Sequence, residues 1–387
     1  MEKLIGLSLF ANIGVAEAYL ESLGVDIAIA NELLEDRARF YQDVYPKTEM
    51  ICGDITNAHI YNDIISKSKK SGVNFIIATP PCQGMSTVGK QDPNDKRNYL
   101  VTFAIDAIMD LLPKFVLIEN VPQQLKTKIS INGKVMFIPD FIEDSLKEYY
   151  EINKSIVNAL DYGVPQMRQR SIYLMVRKDL HLSWNFIKDE EKSSPITLEE
   201  AIGWLPSLDP YIQGYSLEKV VSYFPDFEKK KAEGLKISKW HFPPTHKIRH
   251  IEVMRYTPEG LSALENDVHY PRNSDGSKVK GYSNTYKRQW WNKPGYTVTT
   301  YNGAVCSQDN VHPGHPAGID SNGEKVYSDP RVLSIFEIMI VMSLPRDWPI
   351  PDWASESLIR HTIGEGIPPL IIKKLFENLV LEIKEHE

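Results

Sequence analysis

The chain has 387 residues, of which 42% are hydrophobic and 25% are charged, and its mean hydropathy is −0.31. These values are typical of a soluble globular protein that is large enough for one main core and a second lobe. Three scattered cysteines exclude a disulfide framework, and Cys52 and Cys306 are expected to be buried thiols. No run of about 18 uncharged apolar residues indicates a membrane span. Glu2 and the lack of a cleavage site argue against a secretory signal, so we predict a cytoplasmic protein.

The net charge of −7 conceals an uneven distribution along the chain. Residues 228–293 contain 14 Lys and Arg but only 7 Asp and Glu, so this segment carries +7 and the rest carries −14. The segment also contains several Trp and His residues. Such a segment favours a lobe that contacts phosphates, and a solvated lysine-rich surface is an equal alternative.

The first half of the chain alternates apolar strand-like runs with helical patterns. We predict strands at 4–9, 26–31, 49–52, 74–79 and 115–120, and helices at 15–23, 33–44 and 99–112. This alternation indicates an α/β fold with a parallel sheet covered by helices on both faces. Ligands of such sheets bind at the carboxyl ends of the strands.

The pattern changes near residue 186, where the sequence becomes rich in Pro, Gly and Tyr. A capping box, with Thr197 as N-cap and Glu200 three residues later, predicts a helix there. Helical patterns return near residue 331, and an amphipathic helix at the end of the chain is expected to pack on the first domain. We therefore predict a first domain of residues 1–185, completed by 355–387, and a smaller irregular domain of residues 186–354.

The first three strand ends carry residues suited to an adenosine-containing cofactor. The turn LFANIG (9–14) ends in Gly14, and Glu32 follows it by eighteen residues, close to the spacing at which an acid binds ribose hydroxyls. Asp54, after the third strand, could accept from an adenine amino group. Because the glycine pattern for a pyrophosphate is missing, a nucleoside cofactor without phosphates is favoured over a dinucleotide. Ordinary turns with two surface acids are the alternative.

The next strand ends carry residues suited to covalent catalysis. Residues 80–83 read Pro-Pro-Cys-Gln, so that Cys82 stands on a loop stiffened by proline. Glu119 ends the next apolar run, where burial would raise its pKa. Arg168 and Arg170 extend from the same side of a further strand. Together they indicate a thiolate nucleophile with acid and cationic assistance, and singly each could be a buried thiol, a salt bridge or surface arginines.

The segments TPPCQG (79–84), IENV (118–121) and QMRQR (166–170), in this order and spacing, resemble the DNA cytosine-5 methyltransferases of bacterial restriction-modification systems. The resemblance extends over nearly the whole chain, through LFANIG and Glu32, GDI (53–55), KRQWWNKPGYTVTT (287–300) and IGEGIPP (363–369). It implies a Rossmann-like sheet that binds S-adenosylmethionine, with residues 186–354 as a target-recognition domain.

The resemblance also implies the roles of individual residues on a cytosine flipped out of duplex DNA. Cys82 would attack C6, Glu119 would protonate or hydrogen-bond N3, Arg170 would hold O2, and Arg168 would support the cysteine loop. The implied cofactor-binding residues are Phe10, Asn12, Ile13, Gly14, Glu32, Leu33, Asp54, Ile55, Pro80, Glu365 and Gly366. The implied DNA-binding residues are Gln83, Ser86, Arg288, Thr299 and Thr300.

Two residues depart from the family pattern, Asn12 at a position that is usually Gly and Glu365 at one that is usually Asn. Asn is the non-glycine residue best able to adopt a positive φ, so the turn can survive at position 12. Glu365 bears on cofactor affinity rather than on chemistry, and the size of either effect is left open. The expected partner is double-stranded DNA, a cognate restriction endonuclease for the same site is left open, and a monomer in a bacterial cytoplasm is expected. A tRNA cytosine-5 methyltransferase and a catalytically silent DNA-binding protein are the alternatives. No metal site is predicted from the histidines, because the chemistry needs none. His241, His246 and His250 are expected to serve the basic segment as phosphate contacts or in packing.

Overall fold

The computed structural model describes residues 3–81, 96–131 and 133–387. The strands are β1 (Leu4–Leu9), β2 (Val25–Glu32), β3 (Glu49–Cys52), β4 (Phe75–Ala78), β5 (Phe115–Asn120), β6 (Lys128–Ile131), β7 (Lys134–Phe137), β8 (Tyr150–Asn158), β9 (Gln169–Arg177), β10 (Tyr211–Ile212), β11 (Thr245–His246), β12 (Pro316–Ile319) and β13 (Lys325–Tyr327). The α-helices are α1 (Glu35–Val44), α2 (Ala58–Lys70), α3 (Leu100–Leu111), α4 (Ile138–Leu146), α5 (Leu198–Ile202), α6 (Leu217–Tyr223), α7 (Phe227–Ile237), α8 (Ile248–Arg255), α9 (Ile335–Val341), α10 (Glu356–Glu365) and α11 (Pro369–His386).

The main sheet of this described part has seven strands in the order β3-β2-β1-β4-β5-β9-β8. The first five strands in this order run parallel, and β9 runs antiparallel to both β5 and β8. The chain order reverses between β1 and β4, which is the switch point where open α/β sheets bind ligands. The turn after β1 and the prolines Pro80 and Pro81 after β4 lie on either side of this point.

Alternate residues of the central strands face two different hydrophobic cores. Ile76 and Ala78 of β4 join the core formed with α2, α3 and α4, whereas Phe75 and Ile77 join the core formed with α11. Both faces of the strand are therefore buried, which explains why its sequence is a continuous apolar run. The expected packing of the last helix on the first domain is confirmed, since Phe376 of α11 contacts Phe75 edge to face.

The predicted strands are all confirmed, with ends that differ by at most one residue. The helices predicted at 33–44 and 99–112 are also confirmed as α1 and α3, and the capping box between Thr197 and Glu200 begins α5. The helix predicted at 15–23 is wrong, because only Glu21–Leu23 forms a short 3-10 helix. Hydrogen bonds such as the one from Leu20 N to Glu17 O join residues three positions apart there, as in isolated turns. The side chain of Glu17 points inward and accepts from Ser8 Oγ.

Residues 186–354 contain small hydrophobic cores of their own. One consists of Val253, Met254, Ala263, Tyr286, Val305, Val311 and Val332, and another of Ile212, Val220, Phe224, Phe227 and Ile251. The two ends of this stretch share a core with the first domain instead, where Leu198 and Phe336 pack with Ile13 and Phe40. The division at residues 185 and 354 stays a prediction. No helix in the described residues is long and apolar enough to span a membrane.

Candidate active site

Glu119 and Arg170 meet at the edge of the sheet where β5 ends and β9 begins. The two strands are antiparallel, and Glu119 pairs with Ile172, so Arg170, two residues before Ile172, lies on the same face as Glu119. The Nε atom of Arg170 lies 2.7 Å from Oε1 of Glu119, and both side chains are about nine-tenths buried. The Nη1 atom of Arg170 also donates to the Gln169 carbonyl at 2.8 Å, which orients the guanidinium.

The protonation of Glu119 is set by opposing influences. Burial raises the pKa of Glu119 above its ordinary value, and the charges of Arg170 and Arg168 offset part of this rise. Burial disfavours the charged carboxylate because water no longer solvates it. A carboxyl whose pKa is raised retains its proton to higher pH and is suited to act as a general acid.

The loop that precedes Cys82 is fixed from the same edge of the sheet. The Nδ2 atom of Asn120 donates to the Pro80 carbonyl at 2.9 Å, and its Oδ1 accepts from the Val121 backbone at 2.8 Å. Because Asn120 follows Glu119 directly, the end of β5 positions both the acid and the loop at Pro80. Cys82, together with the predicted DNA contacts Gln83 and Ser86, lies outside the described residues.

Arg168 is buried and connects distant parts of the chain. Its guanidinium donates to the carbonyls of Val298 (2.8 Å), Gly364 (2.9 Å) and Gly366 (2.7 Å). A charged donor that satisfies several buried carbonyls stabilises their relative positions strongly. Arg168 therefore fixes the segment at Val298 and the segment at 364–366 against the start of β9. Its charge also acts on Glu119.

The turn after β1 has the conformation of a tight, left-handed loop. Phe10, Asn12 and Gly14 have φ angles of 60°, 51° and 81°, and Asn is among the non-glycine residues that tolerate this region best. A Cβ on Gly14 would lie 2.1 Å from the ring of Tyr45, so glycine is required there. The Oδ1 atom of Asn12 is buried without a hydrogen-bond partner in the described part of the chain. This orphaned acceptor and the tight turn are compatible with a bound nucleoside cofactor.

The ends of β2 and β3 lie beside that turn. Glu32 accepts from the Asn12 backbone at 2.9 Å and from the Leu34 backbone at 3.0 Å, and burial raises its pKa. Leu33 and Asp54 are both exposed, Leu33 to 58%. Asp54 also caps its own turn, because its Oδ1 accepts from Thr56 N. The structure thus brings the predicted acids Glu32 and Asp54 to adjacent strand ends. Ile13 and Ile55 are buried in hydrophobic cores, where they support the turns.

The last predicted cofactor residues lie at the end of α10. Glu365 forms an ion pair with Arg37 (2.7 Å), and its Oε1 lies 3.1 Å from Nε2 of His361. Gly366 packs so tightly on Val15 that a Cβ would lie 2.9 Å from it. The C-terminal segment therefore meets the turn after β1, which is where the sequence predicts the cofactor.

Thr299 and Thr300, the predicted DNA contacts within residues 186–354, are partly exposed. The segment before them is bound to the catalytic side of the protein, since Thr297 Oγ1 donates to the Met167 carbonyl at 2.6 Å and Val298 N donates to Gln166 Oε1 at 3.0 Å. Their position next to residues 166–168 is compatible with the predicted role.

The structure contradicts the prediction that Arg288 contacts DNA. Arg288 is completely buried, and its Nη atoms donate to the carbonyls of His312, Asp329, Met254 and Ser328 at 2.7 to 3.0 Å. The four carbonyls thus take up the Nη side of the guanidinium. Arg288 holds the second domain together and is not available to a phosphate.

His241, Cys52 and Cys306 lie outside the site. His241 lies inside between Ser334 Oγ (3.0 Å) and the Pro206 carbonyl (2.9 Å), and burial lowers its pKa, so packing applies to it rather than phosphate contact. Cys52 and Cys306, expected as buried thiols, are exposed. In the parts of the chain that the structure describes, no cluster of three or more His, Cys, Asp or Glu is placed to bind a metal.

Three residues of the site were missed in the sequence. Asn120 carried a usable signal, namely a polar side chain at the end of a buried apolar run. Arg37 and Thr362 carried no such signal, because their partners are distant in the sequence. Arg37 pairs with Glu365, 328 residues away, and the Thr362 carbonyl accepts from Asn12, 350 residues away.

The sheet order, the switch point and the residues at the strand ends define an α/β enzyme with the methyltransferase fold. The chain aligns with a prophage-encoded protein of E. coli described as a DNA modification methyltransferase, with a TM-score of 0.66 and 21% identity over 98% of this chain and 99% of that one. It also aligns with the DNMT2 protein of Spodoptera frugiperda, with a TM-score of 0.60 and 16% identity over 97% and 99% of the two chains. These similarities confirm the predicted α/β fold.

The chain belongs to the C-5 cytosine-specific DNA methylase family, whose profile matches residues 5–381. It is 42% identical to the Type II methyltransferase M1.HgaI of Avibacterium volantium over 99% of this chain and 98% of the relative. It is 26% identical to M.DdeI of Desulfomicrobium norvegicum over 96% and 88% of the two chains. The resemblance drawn from the sequence is confirmed, and the alternatives of a tRNA enzyme and a silent DNA-binding protein are not favoured.

Proposed function

We propose that this DNA cytosine-5 methyltransferase acts through a covalent adduct between Cys82 and C6 of the target cytosine, with S-adenosylmethionine as the methyl donor. The observation that carries the proposal is the buried pair of Glu119 and Arg170, 2.7 Å apart, on the edge of the sheet that also supports the Pro80 loop. An acid and a cation at one edge match the two polar atoms, N3 and O2, that a cytosine presents beside C6.

Glu119 and Arg170 have complementary tasks in this proposal. Arg170 donates to O2 of the cytosine, and Glu119 donates its proton or a hydrogen bond to N3. Both contacts withdraw electron density from C6, so that the Cys82 thiolate can add there and form a C6–S bond. The electron pair of the C5–C6 double bond moves to C5.

The remaining steps of the proposed reaction take place at C5 and C6. S-adenosylmethionine supplies an electrophilic methyl group on a sulfonium sulfur. As a bond forms between C5 and this methyl group, the bond from the methyl carbon to the sulfonium sulfur would break and S-adenosylhomocysteine would leave. A base would then remove the C5 proton, and the electron pair left on C5 would restore the C5–C6 double bond as the C6–S bond breaks. Cys82 returns as a thiolate, and the product is 5-methylcytosine.

The residues that would hold the cofactor lie at the ends of β1, β2 and β3 and after α10. Glu32 accepts from ribose hydroxyls, Leu33 offers its exposed side chain to the adenine, and Asp54 accepts from the adenine amino group. The orphaned Oδ1 of Asn12 and the left-handed turn that ends at Gly14 support this placement.

We further propose that the enzyme is the modification half of a bacterial restriction-modification system and acts as a monomer in the cytoplasm. The 42% identity to a Type II methyltransferase along almost the full length supports the first part. Residues 186–354 provide target recognition, and Thr299 and Thr300 contact the DNA backbone.

The proposal is tested by offering duplex DNA and tRNA together with S-adenosylmethionine that carries a labelled methyl group. We expect label in the DNA alone, and none with Cys82→Ser. Bisulfite sequencing of DNA from cells that express the protein then reads the methylated site. Label in tRNA, or full activity of the Cys82→Ser variant, would overturn the proposal.

A further inference from the structure

The segment 362–366, at the end of α10, is held by Arg168 and packs closely against Thr299. Arg168 donates to the carbonyls of Gly364 and Gly366 at 2.9 and 2.7 Å. A Cβ on Gly364 would lie 2.3 Å from the Thr299 carbonyl. These contacts fix the side of the segment that faces Arg168 and Thr299. Other residues hold the side that faces the turn after β1.

Asn12 provides one link on that second side. Its Nδ2 donates to the Thr362 carbonyl at 3.0 Å, and its backbone N–H donates to Oε2 of Glu32 at 2.9 Å. With φ at 51°, Asn12 also forms the left-handed turn itself. One residue thus connects the ends of β1 and β2 with α10.

Arg37 provides the other link. Its Nη1 lies 2.7 Å from Oε2 of Glu365, and the two side chains are only 15% and 22% exposed, so water screens this pair less than a surface pair. The charge of Arg37 also lowers the pKa of the nearby Glu32, against the larger effect of burial. Arg37 is therefore placed between the acid at the end of β2 and the acid at the end of α10.

We propose that Asn12 and Arg37 are positioning residues that hold the segment 362–366 against the strand ends and thereby set the affinity for the adenosine cofactor. This inference rests on the proposed function, because it assumes that the cofactor binds at these strand ends. Neither residue contacts Glu119 or Arg170 in the contacts described above, so their loss affects cofactor binding while the catalytic groups stay in place. Arg168 still grips Gly364 and Gly366 in their absence, so the fold is retained.

The test measures binding of S-adenosylmethionine and S-adenosylhomocysteine by calorimetry, with steady-state kinetics beside it. For Arg37→Met we expect Kd and the KM for the cofactor to rise roughly three- to tenfold with kcat unchanged, as the loss of one part-buried pair would cause. For Glu365→Gln and Asn12→Gly we expect Kd for the cofactor to rise by a similar factor. Glycine at position 12 tolerates the positive φ, so that variant removes only the side-chain bond.

Two further variants separate positioning from general damage. Arg37→Met combined with Glu365→Gln should bind no more weakly than Arg37→Met alone, because both remove the same pair. Arg37→Lys keeps the charge and should retain most of the affinity. Glu365→Gln removes the pair from the other side, so it reports on the pair even if Arg37→Met fails to fold. As a control, Lys47→Met breaks the exposed pair of Lys47 and Glu21 (2.6 Å) and should change nothing.

The outcomes are distinguishable. If the wild type binds cofactor and methylates DNA, but the variants bind as tightly as the wild type or lose kcat with KM unchanged, the positioning proposal alone is overturned. If the wild type neither binds cofactor nor methylates DNA, the proposed function is overturned, and this proposal with it.

Discussion

Replacing Glu17 by Gln should remove a specific pH dependence from the stability of the protein. Glu17 is 4% exposed, and its Oε1 accepts from Ser8 Oγ at 2.5 Å. Its Oε2 is buried with no hydrogen-bond partner among the described residues. Burial raises the pKa of Glu17 from 4.5 to about 7, because a charge there is poorly solvated.

The sign and size of the effect follow from linkage. The folded state binds the proton of Glu17 more tightly than the unfolded state does, so this group's contribution is complete below its unfolded pKa and is lost as the pH rises through about 7. One pKa unit corresponds to about 1.4 kcal/mol, so the shift amounts to about 2 to 3 kcal/mol between pH 5 and pH 8. Gln at position 17 is neutral throughout and lacks this loss.

Urea unfolding of the wild type and Glu17→Gln from pH 5 to pH 8 measures the difference. We expect the wild type to lose about 2 to 3 kcal/mol of unfolding free energy relative to the variant over this interval. Glu21→Gln, which changes an exposed carboxyl in the same segment, is the matched control and should follow the wild type. Stability curves for the wild type and Glu17→Gln that stay parallel from pH 5 to pH 8 would refute the reasoning.

Three further predictions concern the site and its supports. Glu119→Gln should lower kcat for methyl transfer by about 10² to 10⁴; because burial raises the pKa of Glu119, the wild type should lose activity as pH rises through that pKa, and the pH–rate profile of the variant should lack this fall. Arg168→Met leaves two buried carbonyls and one part-buried carbonyl without their donor and should cost about 3 to 5 kcal/mol in urea unfolding; a loss below about 1 kcal/mol would contradict the assigned role. Gly14→Ala should destabilise more than Gly24→Ala, since both have positive φ but only Gly14 meets Tyr45, and equal melting temperatures would refute this.

Local sequence patterns predicted the elements that are buried on both faces. The run Phe75–Ala78 reads as a strand because each of its side chains enters one of two cores, so apolar residues occupy every position. The helix predicted at 15–23 was wrong for a reason that lies outside the segment. Glu17 turns inward to Ser8, and this contact depends on the tertiary fold.

The site was predictable in its parts but not in its assembly. Glu119 and Arg170 stood out at strand ends, whereas their approach depends on the antiparallel pairing of β5 with β9, which no local pattern encodes. Arg288 was misassigned because its burial depends on carbonyls from residues 254, 312, 328 and 329, which only the folded chain brings together. Charge counts along the sequence cannot distinguish such an arginine from a surface one.

The covalent role of Cys82 is the central claim, and it is tested most directly by trapping the adduct. Fluorine at C5 of the target cytosine replaces the proton whose removal releases the enzyme, so the C6–S bond should persist after methyl transfer. With duplex DNA that carries 5-fluorocytosine at the site found by bisulfite sequencing, and with S-adenosylmethionine, peptide mass spectrometry should find the methylated nucleotide on Cys82. Absence of an adduct on an enzyme that methylates unmodified DNA, or an adduct on the exposed Cys52 or Cys306, would contradict the account.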